Sequence, residues 1–316
     1  MSDNVILGMG NAVLDVVVSS SNKDLDALTL EKGQMTIVDQ DTSDKILSKF
    51  EAVKKSSGGS VANSIYGISY LGGDASFCGC VKNDELGKDF INDIKKSGAN
   101  FLCYPTNEGP PTARCTIFVT EDGERTMVTF LGASVNLQKN NIKKEYFKNV
   151  SILIIEGYLW SSEVARESIK KAISFAKNFN IKVVFSLSDP GLVKSFKNDF
   201  IDFIYSDVDV LIGNYLEFQS LLEEKNERDL AIKLDELVEL AVVTNGEKES
   251  RAFQNKEIFR CESLKNIKII DTTGAGDMFA AGFFFKYNQK RNINECLSFA
   301  TQTAAKIISQ YGARFD

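Results

Sequence analysis

Asp271-Thr272-Thr273-Gly274-Ala275-Gly276-Asp277 is the stretch on which the reading of the fold turns. It follows the apolar pair Ile269-Ile270 and precedes a helix-like run from Met278 to Tyr287. That order predicts a strand, a turn of small residues and a helix start. Gly274, Ala275 and Gly276 carry almost no side chain, so their backbone amides can approach a phosphate closely. The first helical turn adds the positive end of its dipole. Asp277 falls inside that turn, where a carboxylate can accept the proton of an attacking hydroxyl. A plainer reading is open as well: the glycines make a tight turn and Asp277 caps the helix, as acidic residues do at many helix starts.

Outward from this stretch, the chain reads as alternating strand and helix. Val5 to Leu7, Ile152 to Ile155, Val183 to Phe185, Val208 to Ile212 and Leu240 to Val243 are short apolar runs rich in β-branched residues, the pattern of buried strands. Between Ser162 and Asn178, Ala165, Ile169, Ala172, Ile173 and Ala176 share one helical face; Leu297, Ala300, Ala304, Ile307 and Ile308 do so near the end. Such alternation predicts a mainly parallel sheet covered by helices on both faces. Val13 to Val38 and Thr112 to Phe130 break the rhythm and read as extended strands without helices. In the second, Ala113, Cys115, Ile117 and Val119 alternate with other residues, Asp122-Gly123 offers a turn, and Thr126, Val128 and Phe130 resume the period of two. These regions predict a small β-sheet lid, discontinuous over about 12–40 and 106–131. With four prolines and no low-complexity linker, the lid is expected as an insertion in a single domain over 1–316.

Composition narrows the chemistry. The 316 residues can bury a large core. The net charge of −6 comes from interspersed acidic and basic residues, without a like-charged run to grip nucleic acid or an anionic membrane. A small-molecule partner fits better. The first eighteen residues lack the pattern of a secretory leader, and no run reaches about 18 apolar residues, so a cytoplasmic location is expected. Six cysteines without a C-x-x-C pair, and no histidine anywhere, argue against structural zinc. The missing histidine also removes Ser-His and Cys-His nucleophile arrangements. Catalysis is left to carboxylates, backbone amides and basic side chains.

The seven-residue string resembles the C-terminal signature of the ribokinase-like, or PfkB, carbohydrate and nucleoside kinases. That resemblance implies a three-layer α/β/α sandwich with a mainly parallel central sheet and a β lid. It implies a phosphotransferase using ATP and Mg²⁺, with Gly274, Ala275 and Gly276 as the anion hole and Asp277 as the base. Ser57-Gly58-Gly59-Ser60-Val61-Ala62-Asn63 resembles the family's N-terminal motif, in which Gly58 and Gly59 let the backbone reach the acceptor and Asn63 binds its hydroxyls. Gly8-Met9-Gly10-Asn11-Ala12-Val13-Leu14-Asp15 resembles its first strand and turn, giving Asn11 and Asp15 as acceptor contacts; a carboxylate offers two acceptor oxygens for vicinal hydroxyls.

On the nucleotide side, Asn214-Tyr215-Leu216-Glu217 resembles the family's Asn-x-x-Glu motif, with Asn214 near phosphate and Glu217 near Mg²⁺ through water. The same spacing is a capping box, and both roles can hold together. Thr244-Asn245-Gly246 resembles a turn of the ATP site, giving Thr244 and Gly246 beside Thr272, Gly274 and Gly276. Asn245 departs from many members. The adenosine kinase branch resembles the chain most, through these motifs, Thr112-Ala113-Arg114-Cys115 and Glu156-Gly157-Tyr158. Adenosine to AMP is therefore the expected reaction, with Tyr158 stacking on the purine, and Trp160 offers a second flat face. Aromatics after a strand are also ordinary core. Arg125 either reaches the phosphates when the lid closes or lies solvated beside the hairpin turn.

Other acceptors stay open: another nucleoside, or a sugar such as ribose or fructose. So do a monovalent cation such as K⁺ as a further cofactor, and a monomer or a homodimer paired through the lid edge. Two further functions compete. Gly8-Met9-Gly10 begins a dinucleotide fingerprint, but Val13 stands where its third glycine belongs. A nucleoside sensor without catalysis would have no need of Asp277 together with the whole anion hole.

Overall fold

The computed structural model describes residues 4–122, 124–224 and 226–315. Gly123 of the expected lid turn lies outside them. The main sheet runs, in spatial order, Glu257–Cys261, Ser250–Gln254, Leu240–Thr244, Val210–Asn214, Lys182–Ser186, Val150–Glu156, Val5–Met9, Ala75–Cys78 and Asn100–Phe101. From Leu240–Thr244 to Asn100–Phe101 the strands are parallel; the first two are antiparallel.

Alternation along these strands feeds two cores. Ile152, Ile154, Leu240 and Val242 join one, with Ile65, Phe283 and Leu297 from the helices Ser60–Tyr70, Ala275–Asn288 and Ile293–Ile307. Leu153, Ile155, Ala241 and Val243 join the other, with Ile169 and Ala172 of helix Glu163–Phe179. A sheet buried on both faces explains why its strands read as continuous apolar runs.

The small sheet has the order Met35–Ile37, Arg125–Phe130, Ala113–Val119, Val13–Ser19 and Ala52–Gly58. Val13, Ala113, Cys115 and Ile117 form an apolar cluster on one of its faces. Ala52–Gly58 lies beyond the expected lid bounds, because its first half is exposed and carries no alternation. A helix, Asn22–Ala27, interrupts the region expected to be wholly extended; Ser21 and Asp24 cap it reciprocally. Ile269-Ile270 is not a strand either. Both side chains are exposed, and the Ile270 amide bonds the Ile308 carbonyl at the end of the last helix. No helix among the described residues is long and apolar enough to cross a membrane.

Candidate functional site

Parallel strands deliver their C-terminal ends to one edge of the sheet, where side chains on the following turns can converge. There Ile154, Ser186, Ile212, Asn214 and Thr244 meet the starts of two helices, Ser60–Tyr70 and Ala275–Asn288, around a cavity of about 210 Å³. Glu217, Gly276 and Asp277 also line it.

The turn before the second helix has the geometry its small residues allow. Gly274 is left-handed, with φ of 77°, and a Cβ there would lie 2.7 Å from the Ala313 Cα. The first intrahelical bond runs from the Met278 amide to the Gly274 carbonyl at 2.8 Å, so the amides before Met278 precede the ladder. Ala275 turns its amide back to the Thr272 carbonyl at 3.2 Å. Gly276 faces open space, and its amide and that of Asp277 remain for an anion. Thr272 itself is exposed.

Asp277 is held from the facing helix. Its Oδ1 accepts from Ser60 Oγ at 2.7 Å and its Oδ2 from Asn63 Nδ2 at 2.9 Å. Burial raises the carboxyl above its ordinary range, while the Asn63 and Ser60 hydrogen bonds and the Arg314 charge pull it down. The carboxylate thus keeps a basic character with lone pairs left for a hydroxyl donor.

On the lid side, Asp15 sits opposite Ser56 and Cys115 in the sheet. Burial pushes it up to about 7, against the lowering charges of Arg314 and Arg125 and with the raising charge of Asp277. A Cβ on Gly58 would lie 2.4 Å from both Asp15 carboxylate oxygens, and one on Gly59 2.3 Å from the Asn11 carbonyl oxygen. Asn11 is buried, its Oδ1 without a partner. These contacts bring Asn11, Asp15, Gly58, Gly59 and Asn63 together on the lid side of Asp277, outside the lining of the 210 Å³ cavity.

Across the cavity, Asn214 and Glu217 form a capping box. The Asn214 amide and Nδ2 donate to the two Glu217 oxygens at 2.8 and 2.7 Å, and the Glu217 amide returns to Asn214 Oδ1 at 2.9 Å. Burial pushes Glu217 up to about 7. Among the described residues no group of three acidic, cysteine or histidine side chains is arranged to hold a metal ion. A single carboxylate such as Glu217 can share a hydrated ion with phosphate oxygens. Thr244 lines the cavity, whereas Gly246 follows it on an exposed turn with φ of 58°.

The two aromatics separate. Tyr158 is half-buried near the carboxylates; burial first, then the charges of Asp189, Glu156, Glu217 and Asp277, raise its hydroxyl. Trp160 is core, packed among Phe185, Phe200 and Phe203. Arg125 is not solvated: it is ion-paired with Asp271 and donates to Thr273 Oγ1 at 3.1 Å.

Two residues escaped the sequence reading as site members. Glu156, 1% exposed, accepts from the Val61 amide at 3.0 Å and the Asn11 amide at 3.4 Å, and burial pushes it up to about 7. Its signal was a charge ending a fully buried strand, which needs a reason. Arg314, in the C-terminal segment, is 7% exposed beside Asn63 and Ser57; nothing local in the sequence marks it.

The sequence profile of the pfkB family carbohydrate kinases matches residues 18–316. The chain belongs to that family. Among solved structures, an adenosine kinase from Sinorhizobium meliloti is 33% identical, with a TM-score of 0.90 over 99% of this chain and 96% of its own. A probable sugar kinase from Rhizobium etli CFN 42 is 31% identical, with a TM-score of 0.91 over the same shares. Probable fructokinase-5 of Arabidopsis thaliana is 28% identical over 86% of this chain and 88% of its own length. The protein is thus a sugar or nucleoside kinase of the pfkB family with the ribokinase-like α/β fold.

Proposed function

We propose that the protein transfers the terminal phosphate of ATP to a hydroxyl of a nucleoside, adenosine to AMP, with Asp277 as the base. The observation that carries this is the Asp277 carboxylate, braced by Ser60 and Asn63, in the first turn after Gly274 and on the wall of the cavity it shares with Asn214, Glu217 and Thr244. ATP phosphates lie at the Gly274 turn, against the amides of Gly276 and Asp277. The acceptor lies between sheet and lid, with its hydroxyls on Asp15, Asn11 and Asn63 and its backbone contacts at Gly58 and Gly59. Asp277 takes the proton of the attacking hydroxyl as its oxygen bonds to the terminal phosphorus and ADP departs. A divalent metal such as Mg²⁺, held through water near Glu217, offsets the phosphate charge when bound.

Two features support a nucleoside. Half-buried Tyr158 stands beside the carboxylate cluster, and the apolar lid face of Val13, Ala113, Cys115 and Ile117 adjoins Asp15. Both suit a flat base better than a bare sugar. A sugar acceptor is the second reading, favoured by the equal likeness to the probable sugar kinase. An ATP-consumption assay with Mg²⁺, on a panel of nucleosides and sugars and with Asp277→Asn alongside, separates them. The expected result is turnover strongest with adenosine, lowered by about 10²-fold or more in kcat in the variant while ATP still binds. Sugar preference transfers the mechanism to the second reading; near-normal turnover by the variant removes Asp277 as base.

A further inference from the structure

Arg314 arrives at the site from the far end of the sequence. The Gly312 amide bonds Asp271 Oδ2 at 2.7 Å, and Ala313 packs on Gly274 so closely that no side chain fits between them. The C-terminal segment is thereby clamped to the anion-binding turn. It carries Arg314 inward to a position where its guanidinium lies over the Tyr66 ring, 4.5 Å from the centroid.

The guanidinium addresses Asp277 through one intermediary. Arg314 Nε donates to Asn63 Oδ1 at 2.9 Å, and Asn63 Nδ2 donates to Asp277 Oδ2 at 2.9 Å. An asparagine amide can present either its oxygen or its nitrogen to a neighbour. With Arg314 donating to the oxygen, only the nitrogen can face Asp277. Nη1 is fixed by Ser57 Oγ and by Asp93 Oδ2, the latter at 2.9 Å, so the fork cannot swing away. Among the described residues Nη2 is buried with no hydrogen-bond partner.

We propose that Arg314 is a positioning residue for phosphate transfer, holding the Asn63 amide so that its nitrogen orients the Asp277 carboxylate, and setting a fixed positive charge behind that carboxylate. The role rests on the reading of Asp277 as the base. Burial lowers Arg314 only to about 10, so it stays charged at neutral pH. The charged and titratable groups here are Asp15, Glu156 and Tyr158, all of which feel Asp277, Asp93 and Tyr66, which act on Arg314, and Arg125, which acts on Asp15. Asp15 and Glu156 are carboxyls, so Arg314 is the countercharge that favours ionised Asp277.

The test is a ¹³C-carboxyl NMR titration of the aspartates, with Asp277→Asn assigning the resonance, on wild type, Arg314→Met and Arg314→Lys, alongside steady-state kinetics. In Arg314→Met, Asp277 titrates at higher pH and the acid limb of kcat moves with it. Arg314→Lys keeps the charge, and with it the titration, but loses the fork; its kcat falls about tenfold or more while KM for ATP holds. In an Asn63→Ala background the Lys substitution costs little more, because the intermediary is gone. An unmoved Asp277 titration in folded Arg314→Met overturns the proposal, as does wild-type kcat in Arg314→Lys. Should Arg314→Met not fold, the Lys variant and the double mutant decide alone. Failure of the kinase reading shows differently, as wild-type protein that turns over no acceptor.

Discussion

Arg125 on the lid and Asp271 at the head of the signature string form an ion pair whose side chains are 14% and 5% exposed. Asp271 also accepts from the Thr273 amide at 3.0 Å and the Gly312 amide at 2.7 Å. One carboxylate therefore joins the lid, the turn at Gly274 and the C-terminal segment. Removing Arg125 leaves a buried charge with two backbone amides and the Thr273 hydroxyl but no countercharge from the lid, at a cost of about 3 kcal/mol. It also frees the lid to admit water, which competes with the acceptor for phosphate. Arg125→Ala is expected to unfold at lower denaturant and to hydrolyse more ATP per acceptor phosphorylated. An unchanged ratio of hydrolysis to transfer means the pair is not a latch.

Gly58 and Gly59 are adjacent but fail differently. At Gly58 the obstacle to a Cβ is the Asp15 carboxylate, 2.4 Å away, which can rotate. Gly58→Ala is expected to fold, to raise KM for the acceptor by about tenfold or more, and to leave KM for ATP unchanged. At Gly59 the obstacle is the Asn11 backbone carbonyl, and φ is 93°. Gly59→Ala should instead lose stability, by roughly 1–3 kcal/mol. A Gly58→Ala enzyme with a normal acceptor KM would remove Asp15 from the acceptor site.

The chain has no histidine, so few groups titrate between pH 5 and 8, and burial pushes Asp15 and Glu156 up to about 7 from ordinary values of 3.8 and 4.5. In that window the folded protein holds protons that the unfolded chain has released. The stability these protonated carboxyls contribute is therefore full below the ordinary values, falls as pH rises between the ordinary and the raised values, and is lost above about 7. Denaturant unfolding of the ligand-free protein should show stability falling from pH 5 to about 7 and levelling above it, with a shallower slope in Glu156→Gln. A slope unchanged in that variant would show that Glu156 does not carry the effect.

Legibility in the sequence followed burial. Strands such as Ile152 to Ile155 were readable because both faces of the sheet are covered, and the helix start at Ala275 because a small-residue turn leads into a long apolar run. Ala52–Gly58 was not, since an exposed strand that begins Ala-Val-Lys-Lys has no apolar alternation. Ile269-Ile270 misled for the opposite reason: apolar residues alone do not make a strand, and these lie exposed beside the last helix. Helix Asn22–Ala27 had a signal, Ser21 three residues before Asp24, that the extended pattern around it obscured. Arg314 had none, because 251 residues separate it from Asn63 and only the folded chain brings them together.

Glu217 carries two roles that one substitution can separate. As the partner of Asn214 in a capping box it satisfies the start of helix Tyr215–Leu222; as a buried carboxylate on the cavity wall it suits an ion held through water. Glu217→Gln keeps an oxygen for the Asn214 amide and removes the charge. Burial has already pushed this carboxyl up to about 7, so at pH 8 the neutral amide relieves desolvation and offsets a cap loss of about 1 kcal/mol. If Glu217 orders water around Mg²⁺, the variant needs about 10-fold or more higher Mg²⁺ for half-maximal rate at nearly unchanged stability. If it is only a cap, the Mg²⁺ dependence stays where it was and the helix start alone weakens. A Mg²⁺ titration of rate, run beside a denaturant curve on the same preparation, separates the two.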